Sequence, residues 1–123
     1  MRNGVVEKQT VDGLTILVLA GELDLSVVPA LRRDLIDSAT AARPDIVVDL
    51  RRVTFMDCST IGALVMLNNH LRANGGSLQL TRVAPRQLRL LTLCRLVGAL
   101  SVRDSLQEAT AAVLNGHDRQ HVS

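Results

Sequence analysis

Asp45-Ile46-Val47-Val48-Asp49-Leu50 and, a few residues on, Met56-Asp57-Cys58-Ser59-Thr60-Ile61-Gly62 set the architecture of this chain. The first run is short and mostly apolar, as in a strand covered on both faces. The second begins with small polar residues and passes into a helical pattern from about Thr60 to Ala73, with Asn74-Gly75-Gly76 as its stop. A covered strand feeding a helix is the first half of a crossover unit, the building block of a parallel sheet.

The flanks repeat the alternation. Upstream, Val5–Val11 reads as a half-exposed strand, Asp12-Gly13 as a hairpin turn and Leu14–Ala20 as a covered strand. Gly21-Glu22-Leu23-Asp24-Leu25-Ser26 reads as a loop whose Asp24 or Ser26 caps the next helix, with Pro29 in its first turn. Val27, Val28, Leu31, Leu35 and Ala39 recur at helical spacing, and Arg43-Pro44 closes that helix. Downstream, Ser77–Arg82 alternates as a strand and Pro85 opens a Leu-rich helix to about Arg95. Leu100–Val102 is a short strand, and Asp104 or Ser105 caps a final helix to Leu114. The order is β-β-α-β-α-β-α-β-α, an α/β domain with a mostly parallel sheet and helices packed on it.

The chain has 123 residues, enough for one domain with a small margin of stability. Phe55 is its single aromatic, so the core is built from Leu, Val, Ile and Ala, and nothing is available to stack on unpaired bases. The net charge is +2 with both signs interspersed, as at Arg32-Arg33-Asp34, which argues against direct nucleic-acid binding. Its apolar runs are far shorter than a membrane span. Cys58 and Cys94 lack metal-site or redox-motif spacing, and no leader is evident; reduced thiols in the cytoplasm are the expectation.

Two readings of Asp57-Cys58-Ser59-Thr60 stand side by side. Helix capping alone accounts for Asp57, Ser59 and Thr60. Alternatively, the start of a helix beyond a strand's carboxyl end is where α/β sheets place their sites. A phosphoryl group on Ser59 would be tolerated by the positive end of the helix, adding about −1.5 to −2 charges at one surface spot.

Val53-Thr54-Phe55-Met56-Asp57-Cys58-Ser59-Thr60-Ile61-Gly62 resembles the signature of STAS-domain anti-sigma-factor antagonists, and Gly21-Glu22-Leu23-Asp24 resembles a second motif of that family. The resemblance runs from about Val5 to Leu114. It implies a STAS domain over residues 1–115 followed by a polar tail, 116–123, without fixed structure. It also implies a regulator, not an enzyme. The unphosphorylated form binds an anti-sigma factor that is also a serine kinase and frees the sigma factor; phosphorylation at Ser59 ends the binding, and a PP2C-type phosphatase restores it. Asp57 holds the loop and orients the Ser59 hydroxyl. Asp24 contributes to the partner surface, and Thr60, Ile61 and Leu64 touch the kinase from the exposed side of the helix start. Cys58 stands where the family often has Ser, and Thr60 replaces a common Gly. Thr60 is thus a minor acceptor or an obstacle to the kinase. No cofactor, metal or catalytic residue is implied, and the oligomeric state is a monomer or weak homodimer. The alternative within the family is a phosphorylation-independent scaffold or sensor subunit of a stress-signalling complex.

Other chemistries fit less well. Cys58 as a phosphatase nucleophile needs an Arg six residues on, where Leu64 stands, and His70 lies roughly three helical turns away. A buried or capping role is expected for Cys58. A receiver domain needs an acidic pair after the first strand and a late lysine, yet no lysine follows Lys8. His117 and His121 lack a third ligand. In the Leu-rich helix, Leu88, Leu91 and Leu96 are expected on the sheet, with Leu90, Leu93 and Val97 elsewhere, either buried or as a partner surface.

Overall fold

The computed structural model describes residues 3–11, 13–39, 44–94, 100–103, 107–108 and 111. Strands β1 (Gly4–Val11), β2 (Leu14–Leu23), β3 (Asp45–Met56), β4 (Ser77–Thr81) and β5 (Ser101–Arg103) form one sheet in sequential order. The β1–β2 hairpin is antiparallel and every later pairing is parallel. Helices α1 (Val28–Asp37), α2 (Cys58–Ala73) and α3 (Pro85–Leu93) make the crossovers. Sequential order with right-handed crossovers puts the helices on one face. The expected α/β architecture is therefore observed. Of the expected final helix only Gln107, Glu108 and Ala111 are described, all helical. Arg43, Leu96, Val97 and residues 116–123 lie outside the described residues.

Register explains the core. Leu17, Val48 and Leu80 lie side by side on three neighbouring strands, and all are fully buried. They meet Val28, Leu31 and Leu35 of α1, Ile61, Leu64, Leu67 and Leu71 of α2, and Leu91 of α3 in one aliphatic cluster. The opposite face carries the smaller group Leu14, Ile16 and Val47. The aromatic-poor composition thus yields a core of branched aliphatic side chains, while Phe55 is half exposed.

Three boundaries differ from expectation. β2 does not end at Ala20 but runs to Leu23, and β3 runs past Leu50 to Met56. The reason is mutual pairing: Ala20 lies against Arg52, Gly21 against Val53, Glu22 against Phe55 and Leu23 against Met56. A register shift falls between Gly21 and Glu22, where Gly21 adopts φ +83, a bulge geometry that glycine permits without a Cβ penalty. β3 pairs with β4 only through Asp49, so the ends of β2 and β3 project together beyond β4. Third, α1 stops at Asp37 with Ser38 as its C-cap, short of Pro44; the Ser38 hydroxyl donates to the Asp34 carbonyl and helps to close the last turn.

The Asn74-Gly75-Gly76 stop of α2 holds, and its second glycine has a steric duty. The Gly76 N–H donates to the Leu71 carbonyl at 2.7 Å, while Ser77 N–H donates to the Pro44 carbonyl at 3.2 Å. A Cβ on Gly76 would run into that Pro44 carbonyl. Gly62, mid-helix and exposed, has open space around it. Gly76→Ala is therefore expected to lower unfolding free energy by about 1–3 kcal/mol. Gly62→Ala should raise it by roughly 0.5–1 kcal/mol. Urea denaturation of both variants checks the contrast.

Candidate functional site

The site lies where β2 and β3 end. Asp57 is the N-cap of α2 in extended backbone, and its carboxylate accepts from the Ser59 N–H at 3.0 Å and the Thr60 N–H at 3.3 Å. The same Oδ1 accepts from the Ser59 hydroxyl at 2.5 Å. The Asp57 main-chain carbonyl accepts from Thr60 and Ile61 N–H groups. The first amides of α2 thus have partners in a single residue, which is what an acidic N-cap supplies.

The turn is also tied to β2. Asp57 N–H donates to the Leu23 carbonyl at 3.4 Å, and the Thr60 hydroxyl donates to the same carbonyl at 2.5 Å from a fully buried position. The Leu25 N–H donates to Asp57. Next door, Asp24 repeats the motif on a smaller scale: its Oδ1 accepts from Ser26 N–H at 3.0 Å and from the Ser26 hydroxyl at 2.5 Å. Its carbonyl accepts from Val27 and Val28, so Asp24 organises the start of α1, and Ser26 donates instead of accepting. The Asp24 and Asp57 turns are neighbours, since Asp57 N–H donates to the carbonyl of Leu23, the residue before Asp24.

The expected exposed contact face is overturned. Thr60, Ile61 and Leu64 are all buried. The helix starts at Cys58, so Ile61, Leu64, Leu67, Asn68 and Leu71 form its inward stripe, and Thr60 is pinned under Leu23. Their spacing in the sequence was already that of a core stripe. Thr60 is no surface acceptor, since its hydroxyl is enclosed and committed. Cys58 is neither buried nor a cap; it is the exposed first residue of α2. The exposed apolar side chains here are Leu25, 70% accessible, and Phe55, 51% accessible.

Beside the turn, Thr54, Phe55 and Met56 at the end of β3 and Arg86, Gln87 and Leu90 of α3 line a groove of about 280 Å³. Gln87 fixes the two walls together. Its Oε1 accepts from Ala84 N–H at 2.8 Å, half of a capping box, and its Nε2 donates to the Val53 carbonyl at 3.3 Å. In α3, Leu91 is buried as expected, but Leu88 is exposed and Leu90 packs against the core. Phe55 and Gln87 carry no sequence signal for this groove because only the fold brings the end of β3 against α3, whereas Leu90, expected either buried or on a partner surface, is partly buried against the core and lines the groove.

The Ser59 hydroxyl, foremost, holds the Asp57 carboxyl below its usual range; partial burial opposes this, and the N–H groups of Thr60, Ser59 and Leu25 reinforce it. A carboxyl depressed in the folded state binds its proton more readily when unfolded. Its contribution is present above the ordinary carboxylate range and is lost as pH falls below about 4. Asp57→Asn should flatten that acid limb of stability in thermal melts between pH 3 and pH 6 (roughly the window of carboxylate titration). Asp57→Ala should cost about 1 kcal/mol at neutral pH through loss of the cap.

With this geometry in hand, comparison places the chain among known proteins. The STAS domain family model matches residues 5–109. The anti-sigma-B factor antagonist of Bacillus subtilis (strain 168) is 30% identical over 84 residues, covering 68% of this chain and 76% of that protein. An anti-sigma factor antagonist from Mycobacterium paratuberculosis shares the fold at TM-score 0.76 and 22% identity, over 87% of this chain and 91% of that one. The Bacillus cell fate determinant SpoIIAA in its phosphorylated form does so at TM-score 0.66 and 22% identity, over 87% and 97%. The chain belongs to the STAS domain family, among its anti-sigma-factor antagonists.

Proposed function

We propose that this protein is a partner-switching regulator whose unphosphorylated form binds an anti-sigma factor that is also a serine kinase, freeing the sigma factor, and whose phosphorylation at Ser59 ends that binding. The observation that carries this reading is the state of Ser59. Ser59 is partly exposed at the start of α2 and donates its hydroxyl to the Asp57 carboxylate, whereas the adjacent Thr60 is enclosed. A carboxylate that accepts the hydroxyl's proton leaves the oxygen lone pairs free for an incoming phosphorus, the arrangement a serine acceptor needs. A relative named as an anti-sigma-B factor antagonist and a phosphorylated structural neighbour support it.

Phosphate on Ser59 removes the hydroxyl proton that Asp57 accepts and sets about two negative charges beside that carboxylate. The N–H groups of Ser59 and Thr60 are already engaged by Asp57, so the phosphate faces outward. No core side chain has to move. The switch is then a local gain of negative charge on a surface otherwise offering Leu25, Phe55 and the groove beside α3. Apolar side chains next to a chargeable hydroxyl make binding sensitive to one modification. A PP2C-type phosphatase would regenerate the binding form. Asp24, tied to its own serine, forms the neighbouring part of the partner surface.

Incubation with Mg-ATP and each anti-sigma-type kinase of the same genome, read by intact mass, tests the assignment. One phosphoryl group is expected, absent in Ser59→Ala. No modification by any kinase while binding persists would instead indicate a phosphorylation-independent scaffold. Leu25→Ala and Phe55→Ala should each weaken kinase binding about 10-fold or more by calorimetry, a loss of roughly 1.4 kcal/mol or more, while leaving the thermal midpoint nearly unchanged.

A further inference from the structure

The thiols of Cys58 and Cys94 are 36 residues apart in the chain, yet their sulfurs lie 3.7 Å from each other. Each is presented by a fixed helix end. Cys58 is the first residue of α2, three residues before buried Ile61; Cys94 is the C-cap of α3, three residues after buried Leu91, and its N–H donates to the Leu90 carbonyl. Cys58 is exposed and Cys94 partly so, and both are free thiols. An S–S bond is ~2.0 Å long, so the two sulfurs, now 3.7 Å apart, must approach by about 1.7 Å to bond.

We propose that Cys58 and Cys94 are a redox-responsive pair that forms an intrachain disulfide on exposure to a peroxide, tying the start of α2 to the end of α3 and restraining the turn that carries Ser59. The exposed Cys58 sulfur attacks a peroxide oxygen; the O–O bond breaks, and with hydrogen peroxide one water leaves and Cys58 becomes a sulfenic acid. The Cys94 sulfur then attacks the Cys58 sulfur, the S–O bond breaks, and a second water carries off the hydroxyl with the Cys94 proton. Two thiols are oxidised by two electrons in all, and one peroxide is reduced to two waters. Cys58 is the more exposed of the two thiols and is the one a peroxide reaches first, while the hydrogen bond to Cys58, burial and the charge at Cys58 push the Cys94 thiol up.

The pair is outside the switch chemistry, since neither sulfur is needed to phosphorylate Ser59. Cys58 nevertheless adjoins Ser59, so the disulfide makes the residue before the hydroxyl a covalent anchor. An effect on phosphate transfer rests on the function proposed above; the disulfide itself does not.

The test uses the full chain and no kinase. After stoichiometric hydrogen peroxide, remaining thiols are alkylated, and the protein is read by intact mass, non-reducing peptide mapping and hydrogen–deuterium exchange. The expected product is a monomer lighter by two hydrogens, with Cys58 linked to Cys94, slower exchange at the Ser59 and Thr60 amides, and full reversal by dithiothreitol. Cys94→Ser should give intermolecular dimers or Cys58 sulfenic acid instead. Wild type behaving like Cys94→Ser, or Cys94→Ser also giving a monomer lighter by two hydrogens, overturns the pair; a linked product with unchanged exchange at those amides overturns the restraint.

Discussion

One carboxylate organises the functional end of this domain. Asp57 takes the first amides of α2, the Ser59 hydroxyl and the Leu25 N–H, and its own N–H reaches back to Leu23. An unsatisfied helix start costs free energy wherever water is excluded, and here Thr60 and Ile61 are both buried. The acid therefore fixes the helix, and the helix fixes the aliphatic stripe that closes the core. The same hydrogen bonds set the position of Ser59. Stability and the proposed switch share this residue, and a phosphate on Ser59 would be felt first at the cap.

Two acid-x-serine turns sit side by side, Asp24-Leu25-Ser26 and Asp57-Cys58-Ser59, each with a carboxylate oxygen taking both the N–H and the hydroxyl of its serine. They follow parallel strands that project together beyond β4. The sheet thus presents two polar turns with Leu25 and Phe55 between and beside them, and the apolar groove against α3 adjoins them. This explains how a chain with one aromatic residue can offer a surface of mixed character. Its aromatic lies on the surface, and the core is made of leucine, isoleucine, valine, alanine and Met56.

Local signals in the chain carried much of this. The apolar runs Leu14–Ala20 and Asp45–Leu50, the hairpin signal and the glycine stop at Asn74-Gly75-Gly76 each have a local physical cause, so element order was legible. The ends of β2 and β3 were not. Their residues lack a strand's alternation and extend because each supplies the other's hydrogen bonds, with Gly21 absorbing the bulge. The family motifs directed attention to Asp24, Asp57 and Ser59. They also encouraged an exposed reading of Thr60, Ile61 and Leu64, although the spacing of Ile61, Leu64 and Leu71 was that of a buried stripe. The approach of Cys94 to Cys58 has no local signature at all, since it depends on how α3 returns across the sheet.

A phosphate on Ser59 is proposed to change what this surface binds without changing the fold. The direct measurement is calorimetric titration of the cognate kinase with the unmodified chain and with the chain phosphorylated at Ser59, alongside amide NMR spectra of both forms. Phosphorylation is expected to weaken binding by about 10-fold or more, with spectral changes confined to residues around Asp57 and Asp24. Equal affinity for the two forms, or a phosphorylated chain whose core resonances have collapsed, would contradict it.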